Sequence, residues 1–525
     1  MTGCSAKGGR ALVTRGTHSH RWYCWGRRMR PTCRAARNIV ASLAAVRGAC
    51  GCTADLGLPT LQWATGSDGG RLVVVGPGCA NMTGVWTLAV NNNLVPTDTL
   101  YPVDESSLPT VTVTGTWFLG ASLWVTSGAR LEVNGTSYGG DCDWLQLVSE
   151  GATNAELRAY GGHVAVAGTK VTSWDRTAMS VDLDVADGRA YMSAVSEVVG
   201  ADPACGGQED AGEARLDIIS SEVGFLGYDD GEKYGVSYKV RGLCGDRSNV
   251  DAWRQTGVYG DVINSELHDM FRGIHARGLK GATWTGNRIS SNTDHGMYLE
   301  EDSDFVTIHS NVVLKNGGSG IYVYRRSNNV VILSNTIYQN GDSGIELKRS
   351  CDYALLADNQ IFDNAIAIEL METSHCFVSG NILIRHTDGM QVRVGSTNNT
   401  IFDNEIASVD NHALFIEQGS TATEVEGSDG RPRYNRCFQN NLFANGTEAV
   451  KVTRGDYNSF TLNNVTGSAV RFTDALGNLW ADNITPAQLG YVLRGDTCFA
   501  EGTTDLGAEA ICAGAYAEYA IIPPQ

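Results

Sequence analysis

The sequence predicts an all-β protein built around a right-handed, single-stranded parallel β-helix with capping segments. Two series of residues carry this prediction, because each recurs every 22 to 24 residues from about residue 260 onward. A constant period with glycine turns and an asparagine ladder is typical of a solenoid whose coils pair with one another. A leucine-rich repeat would also repeat its leucines, and a propeller blade is nearly twice as long. The first series is Asn287, Asn311, Asn335, Asn359, Asn381 and Asn404, and the second is Gly273, Gly296, Gly320, Gly344, Ala367, Gly389 and Ala413.

The strand after each member of the second series has a definite phase. Its apolar residues occupy alternate positions, as in Ile321 and Val323 or Ile345 and Leu347, and these side chains should face the core. The residues between them point outward, and successive coils place them ~4.8 Å apart in rows. The first outward row is His275, Tyr298, Tyr322, Glu346, Glu369 and Gln391; the second is Arg277, Glu300, Tyr324, Lys348, Met371 and Arg393; a third adds Asp302 and Arg326.

Four segments are expected along the chain. Residues 1–54 form a basic leader or signal-like segment, and residues 55–150 form an N-terminal cap with early strands. The parallel β-helix spans residues 151–490, and a C-terminal tail follows at 491–525. The ends of a β-helix need covering, so the segments that flank it are candidates for the caps.

The charge balance argues against nucleic acid as a partner. Residues 1–54 contain ten Lys or Arg and no acid, so the rest of the chain has 30 basic and 58 acidic residues and a net charge of −28. Such a body repels polyanions over its general surface. An anionic ligand therefore needs a locally basic groove or bridging cations.

A stretch that begins at Met29, MRPTCRAARNIVASLAAVRGAC, has the basic start, short apolar run and small residues of a secretory signal. An unstructured leader or an organelle transit peptide is the alternative. Six Asn-x-Ser/Thr sequons and fourteen cysteines are compatible with a secreted, extracellular cell-wall glycoprotein. No apolar run reaches the ~18 residues that span a membrane. The sequons are at Asn81, Asn134, Asn398, Asn445, Asn464 and Asn483, and the disulfides to test first are Cys205 with Cys244 and Cys498 with Cys512.

The outward rows predict a polysaccharide-binding groove. Flat tyrosine rings suit sugar faces, and charged side chains suit uronates and hydroxyls. A solvated sheet face is the alternative, but the tyrosines alternate with cations at aligned positions, which favours a site. We expect a monomer that binds a polyuronate such as alginate. The substrate-binding candidates are Arg277, Tyr322, Tyr324, Lys348 and Arg393.

Roughly half of the chain, up to about residue 420, resembles the mannuronan C-5-epimerases of brown algae. The resemblance is carried by VTSWD (171–175), ARLDIISSEVGFLGY (214–228), EKYGVSYKVRGLC (232–244) and VYGDVINSELHD (258–269), and by the coils that follow. These proteins are similar to bacterial alginate epimerases, which are secreted right-handed β-helices. The resemblance implies an isomerase that converts mannuronate to guluronate within alginate.

One coil departs from the family pattern. The family usually has Tyr-Gly-Phe-Asp-Pro-His-Asp-Asp-Ser-Asp where this chain has HGMYLEEDSD, residues 295–304. The position of the family's catalytic tyrosine holds His295, the acidic position holds Tyr298, and the position of the catalytic histidine holds Glu300. Arg326 matches the family's arginine in the next coil. Arg349 fits the coil after that and joins the substrate-binding candidates.

The chemistry of C-5 epimerisation defines the roles that this coil must fill. The proton on C-5, alpha to the uronate carboxylate, is removed and another is returned from the opposite face. A cation must neutralise the carboxylate, and we assign Arg326 to this role. Glu300 is the candidate base, and His295 or Tyr298 the candidate acid. A polyuronate lyase shares the first step, and a catalytically altered or inactive paralogue that binds cell-wall polyuronate is the other alternative.

The acidic run EEDSD (300–304) has two interpretations. Glu301, Asp302 and Asp304 could raise the pKa of Glu300 by like-charge repulsion and so make it a better base. Asp302 and Asp304 could instead hold Ca²⁺, which takes several carboxylate oxygens. No other cofactor is expected.

Overall fold

The chain folds into three long β-sheets, which wind around a common core as a right-handed parallel β-helix. The computed structural model describes residues 60–66, 69–75, 78–81, 100–102, 115–197, 212–241, 256–420, 423–425, 427–445, 448–467, 469–485, 490–494 and 497–499. Within these residues the one helical element is a 3₁₀ turn, Thr136–Tyr138. The predicted fold class is therefore confirmed.

Sheet 1 has 16 strands and carries the outward rows described above. Its first two strands pair antiparallel, and all of the later neighbours pair parallel. In spatial order the strands are Thr60–Gly66, Gly69–Val75, Ser122–Thr126, Glu156–Tyr160, Tyr191–Glu197, Gly235–Arg241, Arg272–Arg277, Met297–Glu300, Ile321–Tyr324, Ser343–Lys348, Ile366–Met371, Asp388–Arg393, Leu414–Glu417, Val450–Thr453, Ala469–Thr473 and Gly490–Arg494.

Sheets 2 and 3 complete each coil, with 15 strands each. Sheet 2 comprises Gly78–Asn81, Ala129–Asn134, His163–Ala167, Arg215–Ile219, Val262–Ile263, Thr283–Thr285, Thr307–His309, Val331–Leu333, Leu355–Ala357, Phe377–Ser379, Thr400–Phe402, Arg436–Phe438, Ser459–Thr461, Asn478–Ala481 and Thr497–Phe499. Sheet 3 comprises Leu100–Pro102, Thr116–Leu119, Trp144–Glu150, Lys170–Trp174, Glu222–Gly224, Glu266–His268, Arg288–Ser290, Val312–Leu314, Thr336–Tyr338, Gln360–Phe362, Ile382–Ile384, Glu405–Val409, Asn441–Ala444 and Asn464–Thr466, with Thr153–Asn154 paired to Trp144–Glu150.

The core of the solenoid is formed by the inward side chains of all three sheets. Ile321, Val323, Ile345 and Leu347 are fully buried, as the alternation predicts. Parallel pairing puts Ile321 beside Ile345 and Val323 beside Leu347, so identical positions of successive coils stack on one another. This stacking fixes the phase of each strand, because a slip of one residue would move the apolar side chains to the solvent face.

Buried asparagine ladders lock the coils together at the turns. The side chain of Asn335 accepts hydrogen bonds from the backbone N–H of Asn311 (2.9 Å) and from its amide (3.0 Å). Asn335 in turn donates to Asn359 in the next coil. The predicted ladder continues to Asn440, Asn463 and Asn483, and a second ladder runs through Asn292, Asn316, Asn340 and Asn364.

An inserted segment, residues 418–435, lengthens one step of the asparagine ladder. Asn404 and Asn440 are neighbours in the ladder although they are 36 residues apart in sequence, whereas the preceding steps are 22 to 24 residues. The extra residues leave sheet 1 after the strand Leu414–Glu417 and return to sheet 2 at Arg436–Phe438.

Several expectations concern residues that the structure does not describe. Cys205, Cys244, Cys512 and the segment from Met29 lie outside the described residues, as does the side chain of Cys498. The four cysteines whose side chains are described are buried free thiols: Cys142, Cys351, Cys376 and Cys437. Within the described ranges, no helix is long and apolar enough to cross a membrane.

Candidate functional site

The outward face of sheet 1 brings the predicted rows together in the predicted register. His275 lies opposite Tyr298, and Tyr298 lies opposite Tyr322. In the second row, Arg277 lies opposite Glu300. The later members follow in order, with Glu346, Glu369 and Gln391 in the first row and Tyr324, Lys348, Met371 and Arg393 in the second.

An aromatic cluster occupies the centre of this face. The Tyr322 ring stacks on His295, with centroids 4.7 Å apart, and lies 4.8 Å from the Tyr298 ring. On its other side it stacks on Tyr324 at 5.6 Å. The guanidinium of Arg272 lies 4.7 Å from the centre of the Tyr298 ring. The cluster is therefore a set of adjoining flat surfaces with a cation at one end, as a sugar-binding groove requires.

Glu300 is held by two hydrogen bonds beside this cluster. His275 Nε2 lies 3.2 Å from one carboxylate oxygen, and the Tyr298 hydroxyl donates to the other at 3.1 Å. His275 is 2% exposed, so it reaches the site surface only through Glu300. We refer to His275, Tyr298 and Glu300 as the Glu300 cluster.

The groups around Glu300 lower its pKa, contrary to what the acidic run in the sequence suggested. Burial acts to raise the pKa of Glu300, but the hydrogen bond and charge of His275, the charge of Arg277 and the hydroxyl of Tyr298 outweigh it and lower the pKa to about 2. The expectation that neighbouring acids raise this pKa is wrong, because those acids are turned toward cations. Burial lowers the pKa of His275 and, together with the charge of Glu300, raises the pKa of Tyr298. Near neutral pH the cluster therefore contains an ionised glutamate and a protonated tyrosine.

His295 lies two residues before the strand Met297–Glu300 and is mostly buried. Its Nδ1 accepts a hydrogen bond from the backbone N–H of Ser319 (2.9 Å), which leaves the proton of the neutral ring on Nε2. Burial lowers the pKa of His295. Tyr298 lies between His295 and Glu300 along the strand, and its ring meets His295 edge-on at 5.3 Å.

The rest of the acidic run forms ion pairs with cations of the chain. Arg326 Nη2 lies 3.0 Å from both Glu301 and Asp302, and Asp304 lies 2.6 Å from Lys280 Nζ. The described residues contain no group of three or more His, Cys, Asp or Glu side chains arranged to hold a metal ion. Asp302 and Asp304 thus lie beside Arg326 and Lys280, and the calcium site suggested for them stays a prediction. The structure also gives Arg326 two carboxylate partners of its own.

The remaining basic side chains predicted to bind substrate lie on the same face, and each of them is close to a carboxylate of the chain. Arg277 Nη2 is 4.0 Å from Glu301 Oε2. The other pairs are Lys348 with Glu346 (3.1 Å), Arg349 with Glu372 (2.6 Å) and Arg393 with Glu369 (3.0 Å). A polyuronate that binds here must compete with these internal partners, so affinity depends on how well the polymer replaces them.

Two glutamates of the first outward row form a like-charged pair that was not predicted from the sequence. Glu346 and Glu369 lie directly opposite each other on neighbouring strands. Burial and the charge of Glu369 raise the pKa of Glu346. The pair could have been predicted from the sequence, because Glu346 and Glu369 occupy adjacent positions in the first outward row. His275 is likewise present in that row, but its contact with Glu300 runs diagonally between rows.

Comparison with known families places the coils among β-helix proteins. Residues 248–355 and residues 325–465 match the family described as "Right handed beta helix region". No curated protein sequence matches the chain.

Comparison with solved structures also finds proteins similar to this chain. The chain is similar to the periplasmic alginate epimerase AlgG, with a TM-score of 0.59 and 17% identity, over 81% of this chain and 85% of that one. It is also similar to the A-module of the mannuronan C-5 epimerase AlgE4 from Azotobacter vinelandii, with a TM-score of 0.48 and 15% identity, over 71% of this chain and 91% of that one. The similarity to AlgG confirms, at the level of the fold, the resemblance to alginate epimerases expected from the sequence. The protein is thus a right-handed parallel β-helix protein of the architecture found in AlgG.

Proposed function

We propose that the protein is a polysaccharide-modifying enzyme, a mannuronan C-5-epimerase that converts mannuronate to guluronate in alginate. The observation that carries the proposal is the Glu300 cluster, an ionised carboxylate bonded to a protonated tyrosine at the centre of an aromatic face. The fold shared with AlgG supports it, since AlgG is an alginate epimerase with this architecture.

Glu300 is the base in this proposal. It is ionised over the working pH range because its pKa is about 2. A carboxylate of such low pKa is a weak base in the free protein. An anionic sugar beside it offsets the charge of Arg277 and raises the pKa of Glu300, so the bound substrate itself makes Glu300 a better base.

Arg277 is the residue that we assign to the substrate carboxylate. It lies opposite Glu300 in the sheet, and its positive charge contributes to lowering the pKa of Glu300. The sequence resemblance gives this role to Arg326, but Asp302 and Glu301 already neutralise that guanidinium. Because the charge of Arg277 already acts on the carboxylate of Glu300, Arg277 is placed to stabilise the charge that develops on the uronate during proton removal.

Tyr298 is the proton donor in this proposal. Its raised pKa keeps the hydroxyl protonated until charge develops on the sugar. His295 is a poorer donor, because a neutral ring that gives up its Nε2 proton becomes an imidazolate. After one turnover Glu300 holds the proton taken from C-5 and Tyr298 is a phenolate. The sugar ring lies between the two groups during the reaction, so their 3.1 Å hydrogen bond of the free protein is broken in the complex. When the product leaves, the hydrogen bond forms again and a proton passes from Glu300 to Tyr298. Both groups exchange their protons with solvent before the next turnover.

A polyuronate-binding protein without turnover is the second candidate function. The observation that favours it is the set of ion pairs that engages Arg326, Lys348, Arg349 and Arg393. A lyase would use the same groups for the first step and then expel the 4-O-linked sugar.

The test is to incubate the purified protein with polymannuronate and to follow the anomeric region by proton NMR and the ultraviolet absorbance. New guluronate signals without loss of chain length support the epimerase. New absorbance from unsaturated ends identifies a lyase. Retention of the polymer on the protein with neither change identifies the binding protein.

We further propose that the protein is a secreted monomer that meets its polymer outside the cell. The exposed sequon residues Asn398, Asn445 and Asn464 support passage through the secretory pathway. Four buried free cysteines do not oppose it, since burial alone protects a thiol from oxidation.

A further inference from the structure

The inserted segment places a carboxylate against two neighbouring arginines at the edge of the groove. Arg325 and Arg349 follow the opposed residues Tyr324 and Lys348, so they are neighbours at the turn of successive coils. Glu424 Oε1 lies 3.2 Å from Arg325 Nη2 and 3.7 Å from Arg349 Nε. One oxygen thus meets two guanidinium groups, each of which also has a carboxylate neighbour within the β-helix: Glu301 lies 3.6 Å from Arg325 and Glu372 lies 2.6 Å from Arg349.

Arg325 of this pair lies beside the aromatic cluster. The guanidinium of Arg325 lies 4.8 Å from the centre of the Tyr324 ring, which continues the aromatic cluster. Arg325 Nε is buried and makes no hydrogen bond within the described residues. A buried donor without an acceptor is costly, so this end of the groove favours a further oxygen ligand.

We propose that Arg325 and Arg349 form a binding subsite for a uronate carboxylate, and that Glu424 occupies it in the free protein. The inference deepens the proposed function, on which it rests for the identity of the ligand as a polyuronate. Glu424 presents the same chemical group as a uronate, on a side chain that is 40% exposed and so can be displaced. Binding of polymer then requires the exchange of one carboxylate for another.

The inserted segment has a second attachment to the β-helix, which does not depend on the contact between the Glu424 side chain and the two arginines. The hydroxyl of Thr423 and the backbone N–H groups of Glu424 and Val425 all donate to one oxygen of Glu372. This anchor uses the backbone of Glu424 and not its side chain. A change of Glu424 to Gln therefore removes the competing charge without removing the segment.

The test measures the affinity of the full-length protein for polymannuronate by calorimetry in three forms: the unchanged protein, Glu424→Gln and Asp429→Asn. Asp429 is the matched control, because it lies on the same segment and the change removes the same charge. It pairs with Arg433, and neither Arg325 nor Arg349 is among its ion-pair partners. We expect Glu424→Gln to bind about five- to ten-fold more tightly, at the lower end of the ~5- to 150-fold that is typical of coupling between two interactions. Asp429→Asn should bind as the unchanged protein does. Adding Arg325→Ala to Glu424→Gln should abolish the gain.

Equal affinities of Glu424→Gln and Asp429→Asn would overturn the inference, whether or not the protein turns over its substrate. A gain confined to Glu424→Gln supports the subsite even if no guluronate forms, in which case only the proposed epimerase activity fails. Absence of polymannuronate binding in all three forms overturns both. The melting temperatures of the variants establish that each is folded.

Discussion

His275 Nε2 lies 3.2 Å from the carboxylate of Glu300 and so joins a buried imidazole to a carboxylate on the outward face of sheet 1. The two residues lie on adjacent strands of sheet 1, one coil apart. A histidine is thus present at the site, but it touches the site surface only through a carboxylate. The arrangement keeps Glu300 ionised and fixes its direction.

Replacement of Glu300 by Gln should reduce the loss of stability in acid. The pKa of Glu300 is lowered from its ordinary 4.5 to about 2, so its charge stabilises the fold above pH 4.5, and this contribution is lost as the pH falls toward 2. The contribution is on the order of 3 kcal/mol. Denaturant unfolding at a series of pH values should show the free-energy difference between the two proteins shrink over this window. A constant difference would show that Glu300 is not selectively stabilised as an anion.

Replacement of Glu346 by Gln should have the opposite pH signature. Burial and the charge of Glu369 raise the pKa of Glu346 above its ordinary value. The folded state therefore binds this proton more readily than the unfolded state does, and stability is lost as the pH rises through the raised pKa. The variant should gain stability relative to the unchanged protein between mildly acidic and neutral pH. The same unfolding series measures it, and a relative loss at neutral pH would contradict the assignment.

The sequence predicted the architecture and the rows because both follow from short periods. Alternation fixed which side of each strand faces the core, and the coil period aligned Tyr298 with Tyr322. The ion pairs could not be predicted in this way. One partner of Arg325, Glu424, lies 99 residues away on a segment that breaks the repeat. The pKa of Glu300 depends on the direction of the neighbouring acidic side chains. Glu301 and Asp302 have left-handed backbone conformations, with φ of 48° and 62°, and these direct their side chains into the turn that follows the strand.

The asparagine ladder should contribute strongly to stability. Replacement of Asn335 by Ala leaves the backbone N–H of Asn311 and the carbonyl of Ile308 without their partners in the core. We expect a loss of about 3 kcal/mol, since each buried unpaired group costs ~1–3 kcal/mol. Asn464 is the control, because it is exposed, and its change to Ala should cost under ~0.5 kcal/mol. Equal losses in urea unfolding would contradict the ladder's role.

The structure divides the sequons by accessibility. Asn398, Asn445 and Asn464 are exposed, whereas Asn134 and Asn483 are buried with their side-chain amides in hydrogen bonds. If the native protein is glycosylated, peptide mapping after glycosidase treatment should find glycans only in the exposed group among these five. A glycan on Asn483 would be incompatible with its place in the ladder.

The proposed exchange of the proton on C-5 of a uronate by the Glu300 cluster can be measured directly. Polymannuronate is incubated in deuterated water with the unchanged protein and with Glu300→Gln, and the polymer is examined by NMR. The unchanged protein should yield guluronate with deuterium at C-5, whereas Glu300→Gln should give no conversion although it still binds the polymer. If the unchanged protein binds the polymer but produces neither guluronate nor deuterium at C-5, the Glu300 cluster does not catalyse this exchange.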